Sequence, residues 1–229
     1  MLPDTGRGVP AHQRYWRVAE AFGVGDAPRE TIVPIRPEHR EWASETLSHL
    51  PGPLLAVNPG ARWVTKRWPA EKFAVVVSKA FRKYGHSAVI VGSPNERALA
   101  EQLERLLQNF VPAANVVNLA GETSLLQLAA VLESADVVLS NDTGPMHLAA
   151  GLGRPVVAPF TCTSAERSGP PGKQHALVST KVGCAASYRK TCPYRGRRHL
   201  ACLEELDVER VWQAFQALWE RGRDRSDAA

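Results

Sequence analysis

From about residue 53 to residue 180, short runs rich in Val, Leu and Ile alternate with longer stretches whose apolar residues recur at helical spacing. Strands of this kind, each followed by an amphipathic helix, build a parallel sheet covered by helices on both faces. LLAV (54–57) reads as the first strand, and the helix 70–84 after it ends at Gly85, which tolerates the left-handed conformation of a C-cap. SAVIVG (87–92) is the second strand and 95–109 a helix with charges on its outer face. NVVNLAG (115–121), SLLQLAAVLESA (124–135), DVVLS (136–140), PMHLAAGLG (145–153) and PVVAPF (155–160) continue the alternation, with HALVST (175–180) as a sixth strand. The fold class expected is α/β, a doubly wound, Rossmann-like parallel sheet.

The ends read differently. Segments 10–22 and 37–50 suggest two helices separated by an extended TIVPI (31–35), with no βαβ unit of their own, so residues 1–50 are assigned to a remnant of another domain and its linker helices. The sheet domain spans 51–222. Its closing helix runs over 203–221, and residues 223–229 form a frayed tail. Hydrophobic residues make up 44% and charged ones 22% of the 229, enough apolar mass for a core and incompatible with a disordered or fibrous chain. The net charge of +5 suits anionic ligands or an acidic membrane surface but falls short of a case for nucleic acid. No stretch approaches the roughly 18 apolar residues of a membrane span. A cytoplasmic, soluble chain with four reduced cysteines is expected.

The sharpest local feature is SNDTGPMHLAAGLGRP (140–155), where a buried strand ends and a helix starts. Asp142 or Thr143 can cap that helix, Gly144 admits a ligand to the backbone, and Pro145 suits the first helical position, where its missing N–H costs nothing. Exposed N–H groups and the helix dipole then make an anion site fit for a diphosphate, with His147 one turn in. A capped helix without a ligand is the competing reading, and the position at the carboxyl end of a strand favours the site. NPGARWVTKRWP (58–69) leaves the first strand and offers Lys66 as a point charge for a phosphate. Arg62 and Arg67 read as a solvated basic rim, and Trp63 and Trp68 as packing or as stacking surfaces. GSPNE (92–96) leaves the second strand with Glu96 placed for ribose hydroxyls or, equally, for its own helix N-terminus. Together the three segments indicate a nucleotide diphosphate.

Cys184, Cys192 and Cys202 lie in a loop with Arg189, Lys190, Arg195, Arg197, Arg198 and His199. Their spacings, seven and nine intervening residues, match no CxxC pattern, which argues against structural zinc. The basic cluster is a solvated surface or meets an anionic lipid head group or acidic acceptor.

NPGA (58–61), TKRWP (65–69), VGSPNE (91–96), NLAGETSL (118–125), SNDTGPMHLAAGLGRPVV (140–157) and SGPPG (168–172), in this order, resemble the C-terminal half of the ADP-heptose:lipopolysaccharide heptosyltransferases, glycosyltransferase family 9. The resemblance covers about residues 10–220. It implies the donor-binding half of a GT-B enzyme, two Rossmann-like domains facing across a cleft, with no cofactor and no metal. Lys66 would contact the diphosphate or leaving group and Glu96 the ribose. Asp142 would hold sugar hydroxyls, while Thr143, Gly144 and His147 would line the diphosphate and sugar site. Lys66 and Asp142 are the residues expected to act in catalysis. The partners implied are ADP-heptose or a related nucleotide sugar and a lipopolysaccharide core acceptor, with a separate N-terminal domain chain and a peripheral inner-membrane contact as further expectations.

The departures are specific. The family's N-terminal domain, with its proposed general-base carboxylate, has no counterpart beyond a closing stretch from Pro10, so the chain is expected to bind donor and to transfer poorly alone. Thr161-Cys162-Thr163-Ser164 stands where the family commonly has Gly-Pro-Thr-Asp, and Ser187 lies near the position of a fourth loop cysteine. The competing expectations are a non-catalytic nucleotide-sugar-binding module or subunit, a transferase of another nucleotide sugar, and a metal or redox protein built on the cysteine loop.

Overall fold

The computed structural model describes residues 9–24 and 32–226; Thr31 of the expected extended segment and residues 227–229 of the expected tail lie outside the described residues. Six strands, β1 (Leu54–Asn58), β2 (Ser87–Ile90), β3 (Val116–Asn118), β4 (Val137–Ser140), β5 (Val156–Phe160) and β6 (His175–Ser179), form one parallel sheet in the order β3-β2-β1-β4-β5-β6. This is the order of a doubly wound nucleotide-binding sheet, and it agrees with the fold class expected, sixth strand included.

Nine helices accompany the sheet among the described residues: α1 (Ala11–Ala21), α2 (Pro37–Leu47), α3 (Ala70–Tyr84), α4 (Arg97–Leu107), α5 (Leu125–Ser134), α6 (Gly144–Gly151), α7 (Ala165–Ser168), α8 (Ala201–Glu205) and α9 (Val208–Ser226). Successive side chains of a strand face opposite sides, and β1 shows the result. Leu55 and Val57 join Phe73 of α3, Leu103 of α4 and Phe215 of α9 in one core. Leu54 and Ala56 join Leu47 of α2, Leu132 of α5 and Met146 of α6 in the other. Each of the Leu, Val, Phe and Met side chains contributes about 1.5–3 kcal/mol relative to exposure, which is why strands apolar on both faces require both helical layers.

Two boundaries differ from the sequence reading. The single closing helix expected over 203–221 is two, because Lys72 Nζ donates to the carbonyls of Leu203 (2.7 Å), Glu204 (2.9 Å) and Leu206 (3.1 Å) and so terminates α8. Asp207 then starts α9, its Oδ1 accepting from Arg210 N at 2.8 Å. In turn, α9 continues to Ser226, through part of the tail expected to fray, since Gly222 costs a helix only about 1 kcal/mol and no proline follows. No helix among the described residues is long and apolar enough to cross a membrane.

Candidate functional site

Strand order reverses between β1 and β4, and the loops leaving their carboxyl ends open a crevice there. From β1 the chain passes through a 3-10 turn, Val64–Lys66; from β4 it passes through Asn141 and Asp142 into α6. Asn141 ties the two loops together from a fully buried position. Its Nδ2 donates to Pro59 O at 2.8 Å and its Oδ1 accepts from Trp68 N at 3.1 Å. The Lys66 ammonium consequently lies 2.8 Å from Asp142 Oδ2, an ion pair with side chains 18% and 6% exposed. That approach is too oblique for a hydrogen bond, and the ammonium instead donates to the Asp142 carbonyl at 3.3 Å. Trp63 covers it from one side, the ring centre 4.7 Å from Nζ.

The N-terminus of α6 completes the crevice. Thr143 occupies the N-cap position, yet its side chain does not cap the helix. Its hydroxyl bonds instead to Asn58 Oδ1 (3.3 Å) and the Asn141 carbonyl (3.2 Å), and Asp142 makes no cap bond either. The capping expected of Asp142 or Thr143 is therefore corrected: Asn58, at the end of β1, draws the hydroxyl inward, and Asp142 is held at Lys66. Pro145, expected at the first helical position, stands second because the helix begins one residue earlier, at Gly144, where a built Cβ meets open space; its missing N–H still falls among those the helix leaves unpaired. Burial holds the His147 imidazole below its usual pKa, with Asp142 raising it and Lys66 lowering it, so the ring is neutral at pH 7.

Glu96 reaches the same crevice from the loop after β2. Its Oε2 accepts from Ser93 N (2.8 Å) and Ser93 Oγ (2.9 Å), the helix-start contact weighed as its competing role. Its carboxylate also lies flat against Gly60, where any Cβ would collide with it. The crevice thus brings Lys66, Glu96, Asp142, Thr143, Gly144 and His147 together with Arg62, Trp63 and Pro145 around a volume of about 430 Å³. Arg67 stands apart, its Nε bonded to Ala61 O at 2.7 Å. Trp68 is core, donating Nε1 to Leu206 O at 2.8 Å.

A second hollow of about 480 Å³ shares Trp63, Lys66, Asp142 and His147 and is walled by His12 and Tyr15 of α1, Thr163, Ser168 and Tyr188. Sequence reasoning did not find these residues, nor Asn58 and Asn141. The two asparagines left a signal, an amide at the carboxyl end of each of two buried strands. Ser168 opens the SGPPG segment and Thr163 lies in the stretch that departs from the family pattern, whereas His12, Tyr15 and Tyr188 come from distant segments with no signal.

Cys162 and Cys202 are buried, and Cys184 and Cys192 half-buried; all four are free. Burial pushes the Cys202 thiol up to about 11, with Cys184, Cys162 and Cys192 near enough to add to the shift. Among the described residues no group of three or more His, Cys, Asp or Glu is arranged to hold a metal ion. The crevice can bind an anion between a lysine and an uncapped helix start, beside a carboxylate that accepts hydroxyl protons.

Residues 6–197 match the profile of glycosyltransferase family 9 (heptosyltransferase). Lipooligosaccharide heptosyltransferase 2 of Campylobacter jejuni is 31% identical over 170 residues, covering 72% of this chain and 51% of that protein. Among solved structures, the glycosyl transferase family 9 protein of Veillonella parvula superposes over 96% of this chain and 63% of its own, with a TM-score of 0.76 and 25% identity. Escherichia coli heptosyltransferase WaaC with ADP covers 77% of this chain and 48% of its own, with a TM-score of 0.56 and 25% identity. The chain spans about half the length of curated relatives it matches.

Proposed function

The chain belongs to glycosyltransferase family 9, and on that premise we propose that it is the donor-binding half of a heptosyltransferase that takes an ADP-activated heptose for transfer to a lipopolysaccharide core. The observation that carries the proposal is the pairing of Lys66 and Asp142 across the switch point, beside a helix start that no side chain caps. A diphosphate between Lys66 and the N–H groups of Thr143 and Gly144 replaces water there with fixed donors. Glu96 accepts from the ribose hydroxyls through the oxygen that Ser93 does not occupy, and Asp142 accepts from sugar hydroxyls while holding Lys66 in place. The relative solved with ADP supports the nucleotide, since WaaC shares this sheet at 25% identity.

In the transfer, an acceptor hydroxyl attacks the anomeric carbon from the face opposite the diphosphate, the anomeric C–O bond breaks, and ADP leaves with the electron pair. The configuration inverts. Lys66 and the α6 N-terminus stabilise the charge growing on the leaving diphosphate, a preorganised electrostatic effect of about 3 kcal/mol per well-placed donor. The acceptor proton passes to a carboxylate of an N-terminal acceptor domain, and a separate chain carrying that domain belongs to the proposal. So do a cytoplasmic location and peripheral contact with the inner membrane. Residues 1–50 are assigned to a remnant of that domain and its linker helices, and residues 51–222 to the donor domain.

Calorimetric titration with ADP and ADP-heptose tests this reading. Micromolar binding is expected, lost in Lys66→Ala and in Asp142→Ala; a folded chain that binds neither ligand overturns it. Because the chain spans half of its relatives, a non-catalytic nucleotide-sugar-binding subunit is the second reading. It holds if the chain binds donor but catalyses no transfer when supplied with acceptor and a family N-terminal domain.

A further inference from the structure

Between Glu166 and Glu204 the chain has no Asp or Glu, yet it holds eight of the 28 Lys and Arg residues, so the rest of the molecule is net acidic. The positive charge of the protein is therefore local. None of the eight forms an ion pair with a described carboxylate. Arg189, Lys190, Arg195, Arg197 and Arg198 are all exposed.

This cationic loop is held firmly against the candidate site. Tyr188 N donates to Cys162 O at 2.8 Å, and Thr65, the residue before Lys66, donates its hydroxyl to Arg189 O at 2.7 Å. Lys190 shares the Trp63 ring with Lys66, its Nζ 5.8 Å from the centre. Further along, Leu200 N donates to Cys192 Sγ at 3.3 Å and His199 N to Gly196 O at 3.0 Å, which folds Arg195, Arg197 and Arg198 into one compact turn.

We propose that this loop, with Arg189, Lys190, Arg195, Arg197 and Arg198 as its contact residues, is a docking surface for an anionic lipid bilayer and holds the mouth of the donor crevice at the membrane. The proposal rests on the reading above, which includes a membrane contact, and deepens it by naming the surface that makes that contact. The charge pattern matches a bilayer, where each basic residue near an anionic leaflet adds about 1 kcal/mol without needing a shaped pocket. A nucleic acid is the poorer fit. Single-strand binding uses open aromatic faces for base stacking, whereas Arg198 covers Tyr194 at 4.3 Å, Arg167 covers Tyr188 at 4.8 Å, and Lys66 and Lys190 lie against Trp63.

The test is flotation of the whole chain with phosphatidylcholine vesicles, plain or containing about 30 mol% phosphatidylglycerol, at low and high salt. Binding is expected to the anionic vesicles alone and to fall with salt. In the combined variant Arg195→Gln, Arg197→Gln, Arg198→Gln it drops on the order of 100-fold, with ADP affinity by calorimetry unchanged. Absence of vesicle binding, equal binding to neutral vesicles, an unaltered variant, or tighter binding to single-stranded RNA at the same salt overturns the proposal. ADP affinity is read in the same samples. Vesicle binding without ADP binding therefore sinks the donor-site reading and leaves this surface standing.

Discussion

Two helices of the same sheet start in opposite ways. At α5, Ser124 Oγ accepts from Gln127 N at 3.3 Å and Gln127 Oε1 accepts from Ser124 N at 2.9 Å, so the helix start closes on itself. At α6, a residue equally able to cap, Thr143, turns its hydroxyl to Asn58 and Asn141 and leaves the terminus to the crevice. One start is spent on stability and the other is held open, with Lys66 beside it. The difference teaches that a capping residue type does not establish a cap; the neighbours of its hydroxyl decide.

Several experiments would break or sharpen this contrast. The largest effect is expected of Lys66→Ala, which removes the point charge from the open start and should weaken ADP about 100-fold by calorimetry. Retention of affinity would mean that the uncapped terminus binds unaided or not at all. Gly144→Ala separates folding from binding, because its Cβ enters open space in the crevice. Thermal unfolding should show about 0.5 kcal/mol of added stability, while ADP binding weakens about tenfold; unchanged affinity would place the diphosphate elsewhere. Ser124→Ala should cost about 1 kcal/mol of stability in denaturant titration and leave ADP affinity alone. A loss of affinity there would erase the distinction between the two starts.

The smallest effect concerns His147. Its folded pKa lies below the unfolded value, so between the two the unfolded chain binds more protons and stability falls as pH drops below about 6.5. Asp142→Asn should lower the His147 pKa further and Lys66→Met should raise it, read by NMR titration. A ring insensitive to both would not face the pair.

Much of the site was legible because its signals are local. Lys66 in a basic loop, Glu96 in the first turn after a strand, and the Asp142-Thr143-Gly144-Pro145 turn are each short patterns whose chemistry does not depend on distant residues. Where the reading failed, the deciding partner lay far along the chain. The cap at Thr143 is undone by Asn58, and the closing helix is divided by Lys72 of α3. His12, Tyr15 and Tyr188 line the adjoining hollow without any pattern that announces it.

By itself, the amino-acid sequence determined the alternation of doubly apolar strands and amphipathic helices, and hence a parallel sheet covered on both faces. It did so because periodicity and burial demand are properties of a few consecutive residues. Only the tertiary structure decided that β1 and β4, some eighty residues apart, lie side by side while the order reverses between them. Lateral strand order comes from how whole βαβ units pack, which no local period encodes, and that order sets Lys66 against Asp142.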